Sequence, residues 1–128
     1  MSLTDSHVAV MLPTTDHGRA REFYGGRLGL VSDGVNQDGE LMFQLAGGSE
    51  LVLRELPDAT PSPNTALSFQ VGDIAAEIGA LEERGVTFED YDYPDLKTVD
   101  HIFDGPGMRA AWFLDPDGNV LCLHQPTG

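Results

Sequence analysis

Two stretches with one shared pattern decide the fold of this chain: AVMLPTTD at residues 9–16 and ALSFQVGD at residues 66–73. Each stretch alternates like a strand and ends at an aspartate that can cap a helix. Apolar residues at helical spacing and then a glycine follow each aspartate. The chain therefore repeats a strand–helix unit. Two such short units are expected to pack into one domain with a shared cleft.

The first half is predicted to fold in the order β-α-β-β-β. Asp16 caps a helix that runs to about Arg27 and carries Ala20, Phe23 and Tyr24 on one face. Turns rich in glycine and asparagine separate the strands. The strands are predicted at residues 7–12, 30–34, 40–45 and 50–56. These elements make up a first module over residues 5–62.

The second half repeats the same order after a linker with three prolines between residues 57 and 63. Asp73 caps a helix to Arg84, with Ile74, Ile78 and Leu81 on its apolar face. The strands are predicted at residues 66–71, 86–90, 109–114 and 120–125, and residues 100–103 fit either a strand or a loop. This second module covers residues 63–128. Both modules are expected to form a single α+β domain over residues 1–128.

Composition limits the possible partners. The 128 residues suffice for one domain, and 41% of them are hydrophobic, which is typical of a globular chain. Twenty-one acidic residues against seven basic ones give a net charge of −14. Such a surface repels nucleic-acid phosphates and anionic lipids, and it attracts cationic ligands. We therefore expect neither nucleic-acid nor membrane partners, although solubility alone is the simpler explanation of the acidity.

The single cysteine, Cys122, indicates the compartment. One cysteine cannot form an internal disulfide, which fits a reducing environment. The sequence has no apolar run long enough to span a membrane, and its start lacks the apolar core of a signal peptide. These features predict a cytoplasmic protein.

Three motifs resemble the vicinal oxygen chelate superfamily, which includes glyoxalase I, extradiol dioxygenases and bleomycin-sequestering proteins. The motifs are D-x3-A-x2-FY-x3-LG at residues 16–29, an Asp-Ile pair followed by Arg-Gly-Val within residues 73–86, and DPDGN at residues 115–119. The resemblance implies paired βαβββ modules that enclose a U-shaped cleft, usually in a homodimer. It is specific for the fold and for no one activity.

The resemblance also maps the superfamily's metal ligands onto four positions, Ala9, Val52, Ala66 and Cys122. Alanine and valine have no lone pair to donate, and divalent metals need three or four oxygen, nitrogen or sulfur donors. We therefore expect no metal at this position and no other cofactor.

A displaced metal site is the alternative. Strand alternation places His7 on the same face as Ala9, Glu50 on that of Val52 and His124 on that of Cys122. These three residues and Cys122 could therefore all face the cleft. A shift of two residues along a strand moves a donor by about 7 Å, too far to replace ligands about 3 Å apart. The favoured interpretation is that both histidines lie at solvated strand ends and that Cys122 is a buried, unreactive core residue.

The candidate ligand-binding residues lie on the strand faces that are expected to line the cleft. They are Met11, Arg54, Ser68, Gln70, Trp112, Cys122 and His124. Arg54 is expected to be a buried cation that pairs with Glu50 or with a ligand anion. Only one of the neighbours Trp112 and Phe113 can face the cleft, and core packing remains the alternative for the aromatic residues and Met11.

Other polar residues are expected to be structural. His17 should be a solvated residue of the first helical turn, and His101 should lie in a surface loop. The acidic and aromatic stretch at residues 89–95 is interpreted as a solvated strand edge, although Tyr91 and its neighbours could hold a cation. No nucleophilic triad is apparent, so catalytic residues stay unassigned.

Two functions fit the resemblance. The favoured one is metal-independent capture of a cationic or aromatic small molecule, similar to bleomycin-type resistance proteins, which needs only shape, apolar walls and opposite charge. The other is a metal-dependent glyoxalase-like lyase or an extradiol-type dioxygenase, whose chemistry would need the missing metal ligands. A second copy of the chain is the other expected partner, because the strands at Ala9 and Ala66 would otherwise expose their edges.

Overall fold

A computed structural model describes residues 2–127 of the chain. The chain divides into two compact units, Met1–Thr60 and Pro61–Gly128. Each unit contains one sheet and one principal helical segment, and the chain is of the α+β class. The predicted fold class is confirmed.

The first unit follows the predicted order β-α-β-β-β. Its elements are β1 (Ala9–Thr14), α1 (His17–Arg21) continued by a π-helical segment (Glu22–Arg27), β2 (Ser32–Val35), β3 (Leu41–Gln44) and β4 (Glu50–Glu55). The strands lie in the order β1-β4-β3-β2. Because the helical segment forms a crossover, β1 and β4 run parallel, whereas the hairpins make the other pairs antiparallel.

The helix of the first unit begins as predicted and then changes form. The Asp16 carboxylate accepts hydrogen bonds from the amides of Gly18 at 2.8 Å and Arg19 at 3.2 Å, which confirms the N-cap. The α-helix changes to a π-helix after Arg21, where an amphipathic α-helix to Arg27 was expected. Hydrogen bonds of wide span, such as Leu28 N–H to Phe23 O at 2.9 Å, stabilise this turn.

The core of the first unit lies between this helical segment and one face of the sheet. Tyr24 is completely buried and its ring lies 6.0 Å from that of Phe43, which is also buried. Leu41, Leu51 and Leu53 complete the layer from the sheet side. Each such side chain contributes about 1.5–3 kcal/mol through burial, so this face fixes the sheet against the helix.

The second unit has the same order with an added hairpin. Its elements are β5 (Thr65–Gln70), α2 (Ile74–Glu83), β6 (Asp92–Tyr93), β7 (Leu96–Val99), β8 (Ile102–Gly105), β9 (Met108–Leu114) and β10 (Val120–Pro126). The strand order is β5-β10-β9-β8-β7-β6, with β5 and β10 parallel. Asp73 caps α2 by accepting from the amide of Ala76 at 3.1 Å, as predicted. In residues 2–127 no helix is long and apolar enough to cross a membrane.

The strand predicted at residues 86–90 is wrong. Only one bridge forms there, between Phe88 and Phe113, and the sheet is continued instead by the hairpin of β7 and β8. Asp100 and His101 form the turn of that hairpin, with φ values of 53° and 72°. Two-residue hairpin turns of type I′ need positive φ at both positions, which usually means Asn-Gly or Asp-Gly. The Asp-His pair gave no such signal in the sequence.

The DPDGN segment forms the predicted turn between β9 and β10. The buried Asp115 carboxylate accepts from the amides of Asp117 at 2.9 Å and Asn119 at 2.8 Å. Gly118 supplies the left-handed residue of the turn, with φ at 91°. This turn sets the register in which Trp112 lies opposite Cys122.

Helix α2 covers only one of the two faces of the second sheet. Helix α2 packs on one face through Ile74, Ile78 and Leu81, and Phe113 and Leu121 on that face are fully buried. The opposite face carries Ser68, Cys122 and Trp112 side by side in register on β5, β10 and β9. We call this second surface the open face.

Candidate functional site

A polar pair lies on the open face at the end of the sheet formed by β5 and β10. The Ser68 hydroxyl and His124 Nδ1 are 2.6 Å apart, although 56 residues separate them in sequence. Ser68 is exposed and His124 is half-buried, so both can reach a ligand. In residues 2–127 the ring of His124 has no further partner that would orient it as a general base. The pair therefore offers a donor and an acceptor in fixed geometry, and it lacks the third group of a nucleophilic triad.

Cys122 lies next to this pair, and its thiol is unreactive. Its side chain is buried, and its Sγ lies 3.2 Å from the Leu123 carbonyl. Burial raises the pKa of the Cys122 thiol above its ordinary value of 9.0, although hydrogen bonds from the Ser68 side chain and the Ala111 backbone act in the opposite direction. The thiol is therefore protonated at neutral pH and forms part of the apolar floor of the face.

Aromatic rings form the other side of the open face. The Trp112 ring is half-exposed and meets Tyr91 edge to face at 5.6 Å, with Phe103 at 6.3 Å on the same sheet. Burial, followed by the charge of Glu89, raises the pKa of the Tyr91 phenol, which stays neutral. The choice between Trp112 and Phe113 is also resolved, because Phe113 packs in the core against Phe88 at 5.2 Å.

Tyr91 and Phe103 were not among the residues predicted for the site. Tyr91 was assigned to a solvated strand edge, whereas its ring packs on Trp112 and its amide hydrogen bonds to the Thr98 hydroxyl at 2.9 Å. Phe103 lies on β8, whose position in the sheet was not predicted. Gln70, by contrast, is exposed on the same face as expected, in register with His124.

The two candidates in the first unit have separate surroundings. Met11 is half-exposed on β1, in register with Val52. Arg54 was expected to be buried and to pair with Glu50 or with a ligand anion, but its side chain is 59% exposed and its Nε contacts Glu40 Oε2 at 3.1 Å. The preference for Glu40 follows from the hairpin, because Glu40 immediately precedes β3 and β3 lies next to β4. Glu40 also accepts a hydrogen bond from the Asn36 side chain at 2.9 Å. Arg54 therefore joins a group of polar contacts around the turn that precedes β3.

The residues present do not fit the superfamily metal. Ala9 and Val52 in the first unit and Ala66 in the second supply no donor atoms, and the remaining mapped position holds the protonated Cys122 thiol. In the described part of the chain, no group of three or more His, Cys, Asp or Glu side chains is close enough to hold a metal ion.

Each of the two histidines named for a displaced site has another neighbour within its own unit. The His7 imidazole lies over Gly48, where an added Cβ would come within 2.7 Å of its Cε1. His124 is held instead by Ser68. Within residues 2–127, no group of three or more His, Cys, Asp or Glu side chains able to hold a metal ion includes either histidine.

Two further histidines have structural roles that differ from expectation. His17 is not a freely solvated residue: its Nε2 lies 3.1 Å from the Leu53 carbonyl and its amide donates to Glu55 at 3.0 Å, so it fastens α1 to β4. His101 lies in the turn between β7 and β8, which is a surface loop as expected, but its Nδ1 contacts Asp90 at 2.9 Å.

Two sheets, each with one principal helical segment, define a class of α+β protein. The sequence profile of the Glyoxalase/Bleomycin resistance protein/Dioxygenase superfamily matches residues 6–123. The chain belongs to that superfamily, which confirms the resemblance drawn from the three motifs. A search of curated proteins gives no match.

Solved structures agree with this assignment. The chain is 31% identical to TnmS3, an antibiotic binding protein from Streptomyces sp. CB03234, with 95% of this chain and 97% of that chain covered and a TM-score of 0.73. It is 30% identical to a glyoxalase/bleomycin resistance protein from the same organism, covering 94% and 100% at a TM-score of 0.68. A superfamily member from Sphaerobacter thermophilus DSM 20745 is 27% identical, with 94% and 96% covered and a TM-score of 0.73.

Proposed function

We propose that this chain is a metal-independent small-molecule binding protein whose ligand is held on the open face of the second sheet. The observation that carries the proposal is the half-exposed ring of Trp112, packed against Tyr91 beside the Ser68–His124 pair. Indole and phenol rings give large contact area at low entropic cost, and the polar pair can orient a bound molecule. The similarity to an antibiotic binding protein supports the same reading.

The proposed ligand is aromatic or cationic. Exposed ring faces attract both planar aromatic groups and cations. The net charge of −14 favours a cation over an anion during encounter. An antibiotic with a flat chromophore or a basic side chain therefore fits this surface, and the ligand needs no metal for binding.

Trp112 is the only tryptophan in the chain, so its fluorescence reports directly on this face. We would titrate the purified protein with cationic glycopeptide and aromatic antibiotics while following tryptophan emission. Saturable quenching, together with a raised melting temperature, is the expected result. Calorimetry on Trp112→Ala should show binding weakened by about tenfold or more, as for the loss of a central aromatic anchor.

A parallel assay decides between binding and catalysis. The protein would be incubated with methylglyoxal and glutathione, and separately with catechol, in the presence of added divalent metals. Turnover that a chelator abolishes would overturn the proposal in favour of a glyoxalase-like lyase or an extradiol-type dioxygenase. Saturable binding without turnover supports it.

Substitution of Arg54, the candidate of the first unit, tests whether this residue contributes to binding. Arg54→Ala should weaken binding if Arg54 contributes to the ligand site, despite its ion pair with Glu40. Arg27→Ala is the matched control, because Arg27 is another partly exposed arginine with a glutamate near it, Glu22 at 3.6 Å. Unchanged affinity in both variants would show that Arg54 does not contribute to binding.

We further propose that the protein acts in the cytoplasm as a homodimer. The free, buried Cys122 suits a reducing compartment. Strands β1 and β5 are end strands of their sheets, and pairing or covering of such edges by a second copy would protect them. Light scattering at micromolar concentration should give twice the mass of the chain, and a monomer alone would refute the dimer.

A further inference from the structure

An open pocket of about 350 Å³ lies on the face of the second sheet opposite to Trp112. Its lining side chains come from β7, β8, β9 and the turn between β7 and β8. They are Lys97, Val99, Asp100, Ile102, Asp104 and Arg109. Small-molecule sites range from about 300 to 1,000 Å³, so this pocket suits a small guest.

Arg109 is the unusual member of this lining. Its Nε is buried and has no hydrogen-bond partner. Six of the seven basic residues in the chain are arginines, and carboxylates outnumber basic residues threefold. A half-buried guanidinium with an unsatisfied donor is costly unless an acceptor from outside the chain completes it.

Two carboxylates share the pocket without neutralising Arg109. Asp104 lies directly opposite Arg109 in the pairing of β8 with β9. Even so, within residues 2–127 neither Asp104 nor Asp100 forms an ion pair with Arg109. Lys97 makes only a long contact of 3.9 Å with the exposed Asp92. The pocket therefore presents two cations and two anions that are neighbours but are not bonded to one another.

This arrangement selects the charge of a guest. A simple anion would be attracted by Arg109 and Lys97 but repelled by the two aspartates. A simple cation would be attracted by the aspartates but repelled by the two basic residues. A molecule with both charges satisfies both sets. The apolar side chains of Val99 and Ile102 lie between them and can receive an aliphatic group.

The rim of the pocket is held in place before any guest arrives. Asp100 belongs to the two-residue turn whose second member, His101, has φ at 72°. The His101 ring contacts Asp90 at 2.9 Å through Nδ1 and Glu82 at 3.3 Å through Nε2, so the turn is tied to the end of α2. A preorganised rim reduces the entropy lost on binding.

We propose that this pocket is a second ligand site, distinct from the open face, for a small zwitterion of the α-amino acid type with an aliphatic side chain. The carboxylate pairs with the Arg109 guanidinium, the ammonium group pairs with Asp104 and Asp100, and the aliphatic group lies on Val99 and Ile102. Arginine suits the first contact because its planar fork matches a carboxylate.

The probe for this site is L-leucine, titrated into isotopically labelled protein while amide resonances are followed by NMR. We expect saturable shifts at Val99, Ile102 and Arg109. Two analogues each lack one charge: 4-methylpentanoate has no ammonium group and 3-methylbutylamine has no carboxylate. Each should bind at least about tenfold more weakly, since a hydrogen bond to a charged group contributes about 1.5–3 kcal/mol.

Variants locate the site. Arg109→Gln and Asp104→Asn should each weaken L-leucine binding about tenfold or more. Trp112→Leu, on the opposite face, should leave it unchanged. Because Asp104 is exposed, Asp104→Asn keeps the test valid even if Arg109→Gln disturbs folding.

Three results would overturn the proposal. The first is binding of 4-methylpentanoate as tight as that of L-leucine, which would indicate a plain anion site. The second is an absence of saturable shifts at the pocket amides. The third is binding of L-leucine that survives both Arg109→Gln and Asp104→Asn.

Discussion

The Ser68 hydroxyl and His124 Nδ1 lie 2.6 Å apart on the open face of the second sheet. Strands β5 and β10 are parallel there, and Gln70 rather than Ser68 is the register partner of His124. The hydrogen bond therefore runs diagonally across the strands. It fixes the imidazole ring and leaves its Nε2 directed away from Ser68, available to a ligand.

Removal of the serine hydroxyl tests this role. In Ser68→Ala the imidazole loses its partner, and a ligand that hydrogen bonds to His124 should bind about two- to tenfold more weakly, since a neutral hydrogen bond contributes about 0.5–1.5 kcal/mol. Calorimetric titration with an antibiotic identified by fluorescence gives the measurement. Thr65→Ala, an exposed hydroxyl on the same strand, is the control. Equal affinity in Ser68→Ala and wild type would show that the pair does not serve the ligand.

The Cys122 thiol should make the fold less stable in alkali. Its pKa is raised in the folded state, so the unfolded chain loses this proton at lower pH than the folded chain does. The stability that this group contributes is fully present below about pH 9 and is lost as the pH rises through the raised folded-state pKa. The raised pKa of Tyr91 acts in the same direction.

Urea denaturation near pH 8 and near pH 10 measures this effect. The free energy of unfolding should fall between the two, and the fall should be smaller in Cys122→Ala than in wild type. Iodoacetamide should also modify the native thiol much more slowly than the unfolded one. Fast modification of the native protein would show that Cys122 is neither buried nor protonated as described.

Asp115 should be the most sensitive residue of the DPDGN turn. Its carboxylate is buried and accepts from two backbone amides and from the Asn119 side chain at 2.7 Å. Asp115→Ala leaves these donors without an acceptor and should cost about 2–3 kcal/mol or more of unfolding free energy. Denaturant titration provides the value, and Asp95→Ala, at an exposed position in the same unit, is expected to change it by less than about 0.5 kcal/mol. Similar losses in both variants would contradict the role given to the turn.

Purified protein should carry no stoichiometric zinc, iron, nickel or manganese. Three of the four mapped ligand positions hold alanine or valine, and the fourth holds a protonated thiol. Elemental analysis of protein prepared without chelators makes the measurement. One metal ion per chain, lost in His7→Ala or His124→Ala, would reveal a donor set that the present geometry does not assemble.

The sequence was most informative where the signal is local. Asp16 and Asp73 cap their helices because an aspartate before an apolar periodic segment satisfies free amides regardless of what packs around it. The DPDGN turn has the same local character. Seven of the strands, those that begin at residues 9, 32, 41, 50, 65, 108 and 120, lie within about two residues of their predicted starts.

Non-local contacts were the ones that escaped prediction. The pairing of Ser68 with His124 depends on the register of two strands distant in sequence, although both residues had been named for the site. The ion pair of Arg54 with Glu40 escaped prediction for the same reason, because it depends on the pairing of β3 with β4. The pocket around Arg109 depends on the position of β8, which could not be foreseen because an Asp-His turn does not look like a hairpin turn.

The outer end of the second sheet has a consequence for self-association. The sheet ends at β6, which is only two residues long, and Pro94 follows it directly. Such a short strand is a poor template for another strand. The charged Asp92 lies within it, and the proline that follows has no amide hydrogen to donate. The opposite end is the six-residue β5. Growth of this sheet by strand addition is therefore blocked at one end, and copies of the chain that join through the edges of this sheet would stop at pairs rather than extend into fibres.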